Sequence, residues 1–474
     1  MLPSSQASDQ RFSRGYRTWL LGLLLFIYML NLADRLGFAV MGQNIKVDLG
    51  ISDARLGLLQ GLPFAVFYSL MGFPIARLAE HLSRTRIIAT CVALFGAMVA
   101  LCSRAHSFGG LLLLRMGVGV GDGGFQAPVA SLIGDHYPMN RRASAMSIIW
   151  LGAPLGVVVG STSAGWIAEH YSWRVAFAGI GLVSLAVSVV ALLSLRDPPR
   201  GMSDPGTVVR GPPPSAWTAL RFLLGKRSMW HILAGCALAA TSMNGIGQFM
   251  SPFLQRNFHM GPAQSGRYVA LTAGAAMASG LLIGGFGMDW AARFDKRWYV
   301  WGPAVGLALA APLFVLGFSE PTVLATVLIL IAAHVSMFLY YSPSLALAQN
   351  MVGANMRASS AFVVSLVLGL LGVGLGPTIV GFLSDHFAAS AFQPGAFAAL
   401  CPAGKAAAGA AGPLAASCAQ ASALGVRHAM MVIALLGLWA ALHYLLAARN
   451  LRGDLETQYR AAEPLPEAVS PAES

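Results

Sequence analysis

Charge is what this chain of 474 residues has least of: 11% of its residues are Asp, Glu, Lys or Arg, against about 25% in a soluble protein. That is too little to coat a water-facing surface. With 56% hydrophobic residues, the shortage excludes a soluble globular protein and makes the chain an integral membrane protein. Cysteine is scarce as well. The five Cys contain no Cys-x-x-Cys pair and the ten His are scattered, so no metal centre, nucleophile constellation or cofactor is expected, and the chain is not read as an enzyme. A membrane-embedded transferase would need clustered loop carboxylates or a soluble catalytic domain, yet the longest outer loop offers only Lys405 and Arg427 as charges. Strand alternation is also missing. Apolar runs rich in Gly, 53 in all, exclude a β-barrel, whose strands alternate in segments of about ten residues.

What is present is a series of apolar runs long enough to cross a bilayer, each near the roughly 20 residues a spanning helix needs. They fall at 17–40, 56–78, 87–103, 108–134, 143–167, 174–195, 229–255, 268–290, 298–317, 321–350, 358–385 and 426–448. The fold class is therefore all-α integral membrane, with twelve transmembrane helices. The first run is too long for a cleaved signal peptide and carries Asn31, Asp34 and Arg35, so it stays as span 1.

Orientation follows from the basic residues, which resist translocation. With the N-terminus inside, 21 Lys and Arg lie on the inner side and 8 on the outer side, so both termini are expected in the cytoplasm of a bacterial inner membrane. This asymmetry accounts for the net charge of +12 without a nucleic-acid partner, which would need a clustered basic face.

The chain divides into a cytoplasmic segment 1–16, a six-helix half 17–195, a linker 196–228, a second half 229–448 and a tail 449–474. The linker is broken by Pro198-Pro199 and Gly211-Pro212-Pro213-Pro214, the composition of a spacer. Residues 386–425, rich in Ala, Gly and Pro, read as an irregular outer loop, and 449–474 as a disordered tail. Cys401 and Cys418 both fall in that outer loop, where an oxidising compartment permits a disulfide.

The halves repeat one another. Arg142-Ala143-Ser144 opens span 5 and Arg357-Ala358-Ser359 opens span 11; Glu80 and Arg84 end span 2 as Asp289 and Arg293 end span 8. Parallel six-helix repeats rock about a central site to alternate its access. In that scheme Glu80, Arg84, Asp289 and Arg293 form a cytoplasmic gate of the outward-open state.

The residues that carry chemistry are the ionisable ones inside spans, because a charge at the bilayer centre costs about 2.5 to 3.5 kcal/mol. Asp34 and Arg35 in span 1 and Arg115 in span 4 lie at similar depth, and Asp122 follows Arg115 by seven residues on the same face. Two carboxylates and two guanidiniums are expected to converge on the cavity side of the first half. Asp34 and Asp122 are the proton-coupling candidates, and Arg115 either holds Asp34 ionised or binds an anionic group. Arg35, about 100° round the helix from Asp34, takes a separate partner. In the second half the candidates are polar: Asn244 and Gln248 on span 7, four apart and so on one face, with His334, Tyr340, Tyr341 and Gln349 on span 10. Met243, Phe249, Met250, Met337 and Phe338 would supply a soft apolar lining. Gly119-x-Gly121-x-x-Gly124 matches a dinucleotide fingerprint only by chance, since no strand precedes it; these glycines are expected to let helices approach closely.

With Leu32-Ala33-Asp34-Arg35, the run from Asp48 to Gln60, and Gly117 to Pro128 in view, the sequence resembles the major facilitator superfamily, and within it the Spinster branch. The similarity covers about residues 17–448. Glu80-His81 replaces the family's usual Asp-Arg, and Asp122 replaces its usual Glu. The resemblance implies two pseudo-symmetric six-helix halves, and roles in proton coupling for the span 1 Asp and the span 4 Arg and acid. The function expected is proton-coupled secondary transport, by a monomer, of a small amphipathic or lipid-like anion such as a lysolipid. Its rivals are a proton-driven multidrug or organic-anion exporter and a non-transporting receptor of the same fold.

Overall fold

The computed structural model describes residues 12–199, 202, 216–352, 357–392, 397–406 and 412–462. Among these residues every regular element is helical. Ten helices are long and apolar enough to cross a membrane: α1 Arg14–Asp48, α2 Asp53–His81, α3 Arg84–Cys102, α5 Ser144–His170, α6 Trp173–Ser194, α8 Pro262–Ala291, α9 Trp298–Ser319, α10 Val323–Asn350, α11 Val363–Ala391 and α12 Gly412–Leu455. Two further helical stretches bring the count among the described residues to twelve: α4, built from Phe108–Gly123 and Gln126–His136, and α7, Arg227–Asn257.

Local chemistry sets many of the ends. Ser13, Ser52, Ser107 and Ser172 each accept a backbone N–H three residues on and so start α1, α2, α4 and α6. The breaks inside passes sit at small residues or proline. Gly61 and Pro63 interrupt α2, and Gly124 interrupts α4. Wider π-helical turns lie at Ala270–Ala275 and Ile283–Gly287 in α8 and at Leu368–Val373 in α11, a feature often found where a helix must flex.

Glycine sets how closely helices pack. A Cβ on Gly160 of α5 would lie 2.4 Å from the Ala33 backbone of α1, so only glycine lets these helices approach so closely. Gly119, Gly121 and Gly124 likewise face Phe64, Phe95 and Cys91, which gives the spurious nucleotide motif its packing role.

Three boundaries differ from the sequence reading. Helix α1 begins at Arg14 and continues through Met41-Gly42-Gln43-Asn44 to Asp48 rather than spanning 17–40. The stretch expected as an irregular loop, 386–425, is helical to Ala391 and again from Gly412. The segment from 449 is not irregular at its start, because the last helix runs Leu436–Ala462. In the outer stretch Ala, the strongest helix former, outweighs the loop-like composition; from 449 onward Leu, Arg, Glu and Gln, also good helix formers, extend the helix. The proline-rich 211–214 lies outside the described residues, and the linker contains a short helix, Ala216–Leu224.

A disulfide joins Cys401 to Cys418. It ties the 401–406 turn to the start of α12, and Gly404 in that turn packs against Ser422 and the Lys46 amino group of α1. Neither thiol should react with an impermeant maleimide in unreduced cells, and both should after reduction. Labelling of both without reductant would contradict the bridge.

Candidate functional site

Two ion pairs join α1 to α4, and they occupy different environments. Arg115 Nη1 donates to Asp34 Oδ2 at 2.7 Å, with the side chains 2% and 1% exposed. The guanidinium carbon lies 4.6 Å from the Phe38 ring centre and 5.3 Å from that of Phe64. Asp34 Oδ1 is buried and accepts no hydrogen bond. Arg35 Nη2 donates to Asp122 Oδ2 at 3.0 Å, with 18% of the Arg35 side chain exposed. Asn31 Nδ2 fills the other Asp122 oxygen at 2.9 Å. Arg35 also lies over the rings of Phe64 and Tyr68, 4.9 and 5.1 Å from their centres.

The sequence places both pairs on the cavity face, and here the structure corrects it. The Asp34–Arg115 pair is sealed inside the first half, and Arg35 is the guanidinium of the two that keeps part of its side chain exposed. The two carboxylates differ in the same way. Asp122 has both oxygens engaged, whereas Asp34 has one oxygen engaged and one without a partner.

Across from Arg35, Tyr341 of α10 lies within electrostatic range of Arg35 and Tyr28. Tyr340 packs edge-on against Tyr341 but is fully buried. Asn244 donates to the Ala240 carbonyl of its own helix, and Gln248 is buried with an unpartnered Oε1. His334 sits in the core, its Nδ1 on the Leu330 carbonyl. Phe249, Met250 and Met337 are core residues of the second half, not the cavity lining expected of them.

The four expected gate residues each remain in their own half. Glu80 pairs with Arg77 at 3.6 Å, and Asp289 accepts the Tyr299 hydroxyl at 2.8 Å. Arg293 is exposed. Buried Arg84 pairs with Asp135 and Asp197 and donates to the Pro198 carbonyl, so it braces α2–α3, α4 and the start of the linker.

The halves are latched at the opposite end from the termini, through residues the sequence reading left without a role. Asp53 accepts Lys46 Nζ at 2.8 Å, both Arg256 Nη atoms at 2.6 and 2.7 Å, and Ser384 Oγ at 2.7 Å. Asp385 in turn accepts the Asp53 and Ala54 N–H groups at 3.0 and 2.8 Å, capping α2 from the other half. The backbones meet beside this network, where a Cβ on Gly57 would lie 2.3 Å from the Pro377 carbonyl. Removing one member of a buried charge cluster costs about 3 to 5 kcal/mol because its partners stay buried. Asp53→Asn should therefore open this end, raising modification of a cysteine placed at Tyr68 from that side by at least tenfold. Unchanged modification would show that the network does not hold the closure.

A twelve-pass bundle of two six-helix halves, closed at one end around paired charges, defines a secondary transporter. The chain belongs to the Major Facilitator Superfamily, whose profile matches residues 24–377. It resembles the Spinster branch: a crystal structure of a bacterial homologue of the human lysosomal transporter Spinster, in an inward-facing, unoccupied conformation, superposes with a TM-score of 0.81 at 30% identity, covering 94% of this chain and 99% of that one. An MFS-type efflux pump of Mycolicibacterium smegmatis is 29% identical over 370 residues, 78% of this chain and 85% of the relative. A spinster homologue of Arabidopsis thaliana, described as a probable sphingolipid transporter, is 27% identical over 192 residues, 37% of this chain and 36% of the relative.

Proposed function

We propose that this transporter couples proton movement to alternating-access transport of a small amphipathic anion across a bacterial inner membrane, with both termini in the cytoplasm. The observation that carries the reading is the unpartnered Oδ1 of Asp34: a buried carboxylate with a vacant oxygen is a place to hold a proton. The cluster Asp34, Arg115, Arg35 and Asp122 sums to zero formal charge. An anionic group arriving at Arg35 draws that guanidinium from Asp122 and leaves the cluster one negative charge in excess, which a proton on Asp34 Oδ1 neutralises. When the anion leaves, the Arg35–Asp122 pair re-forms and the proton is released.

Arg35 stands among Phe64, Tyr68 and Tyr28, so the anion it meets is one with an apolar body next to its charge. The description of the Arabidopsis relative as a probable sphingolipid transporter favours a lipid-like substrate, and that of the mycobacterial relative as an efflux pump favours export. Glu80, Arg84, Asp289 and Arg293 fit a gate at the cytoplasmic end that closes when the Asp53 network opens.

Counterflow in proteoliposomes loaded with lysophosphatidylglycerol, aromatic acids or sugar acids tests the reading. At least one anionic amphiphile should exchange, and Arg35→Ala should lower its exchange at least a hundredfold while the protein stays monodisperse. Exchange by Arg35→Ala at the wild-type rate would remove Arg35 from substrate binding. A wild-type protein that exchanges none of these anions would favour the receptor reading.

A further inference from the structure

A second basic site lies on the outer flank of the second half, between α7 and α12, at the end that carries the termini. It is a pocket of about 360 Å³ lined by Leu224, Arg227, Trp230, His231, Leu446 and Arg449, with Asn450 at its rim. Arg227 and Arg449 are both exposed, and among the described residues neither has a carboxylate partner. Asp454, on the same helix as Arg449, is already committed, since it accepts the Ser228 N–H at 3.1 Å and the Ser228 hydroxyl, and its carbonyl accepts Lys226 Nζ. Arg452, on the neighbouring turn, is paired with Asp295.

His231, which lines the pocket, meets His443 Nδ1 through its own Nδ1 at 3.0 Å. Trp230, 52% exposed, and Trp439, 56% exposed, flank the His443 ring at 6.3 Å. Exposed indoles beside basic side chains at a helix end mark the headgroup level of a bilayer.

We propose that this pocket binds the phosphate of an anionic glycerophospholipid from the leaflet on the side of the termini. The phosphodiester lies between Arg227 and Arg449, and the acyl chains run over Trp230 and Trp439. Basic pockets between spanning helices take anionic headgroups in this way, and planar guanidiniums suit phosphate oxygens. The occupant is a bilayer lipid because the pocket opens beside exposed indoles on the bundle flank and not into the central site. It also ties α7, the first helix of the second half, to α12, the last. Occupancy should therefore stabilise the fold.

The test is native mass spectrometry and thermal unfolding of delipidated full-length protein with dioleoyl phosphatidylglycerol, dioleoyl phosphatidylcholine or inorganic phosphate. Phosphatidylglycerol should bind and raise the unfolding temperature. The double variant Arg227→Gln, Arg449→Gln should bind it at least tenfold more weakly, and Arg104→Gln, at the opposite end, should bind as the wild type does. If the double variant does not purify, Arg449→Gln alone carries the comparison. Equal binding by the pocket variant, equal binding of phosphatidylcholine, an equal loss in Arg104→Gln, or stabilisation by millimolar phosphate alone would each overturn the proposal.

Discussion

Asp34→Asn will exchange substrate across a proteoliposome membrane but will not concentrate it against a pH gradient. In the wild type, one proton moving with one monovalent anion converts a gradient of one pH unit, about 1.4 kcal/mol, into roughly tenfold accumulation. Asparagine keeps the shape and the acceptor toward Arg115 but binds no proton, so the accumulation ratio should fall to about one. The Arg35–Asp122 pair proposed to meet the anion is untouched, which is why exchange persists. Retained exchange also shows that the variant is folded. If Asp34→Asn still accumulates substrate tenfold, the proton is carried elsewhere, and Asp122→Asn becomes the variant that should lose accumulation.

Gly57→Trp will abolish transport by a different route. The Gly57 backbone lies against the Pro377–Thr378 backbone of α11, with no room for even a methyl group, and backbone cannot give way as a flexible side chain can. An indole there wedges apart the end that Asp53, Arg256 and Lys46 close. Net transport should fall more than a hundredfold, while the central cavity stays accessible from the end opposite the termini. Gly22→Trp is the control, because nothing lies within 4 Å of the position a Gly22 Cβ would take. Transport by Gly57→Trp at a rate near that of the control would mean that closure at this interface is not part of the cycle.

Much of this was readable in the sequence because the bilayer is a strict solvent. Apolar runs of spanning length are seldom anything but helices, and four deep charges stand out against them. Asp34 and Arg115 could be paired because their depths match along two helices. What depth does not reveal is rotation. Asp122 shares a face with Arg115, yet it pairs with Arg35, because α1 presents Asn31 and Arg35, one turn apart, to Asp122 while Asp34 turns inward. The Asp53 network was hidden for another reason. Lys46 and Asp53 lie in the first half and Arg256, Ser384 and Asp385 in the second, and no local pattern links residues some 200 to 330 positions apart. Its only trace was two acidic and two basic residues at span ends, where charges are ordinary. Ala-rich 412–425 misled in the opposite direction, since low complexity suggested a loop where propensity favours helix.

The most direct test of proton coupling through Asp34 is the proton itself. A pH-sensitive dye trapped inside proteoliposomes, with no imposed gradient, reports proton entry when an exchanging anion is added outside. The wild type should acidify the lumen in step with substrate uptake, one proton per monovalent anion, and Asp34→Asn should move no protons. Substrate entering through the wild type with no change in lumenal pH would contradict the account.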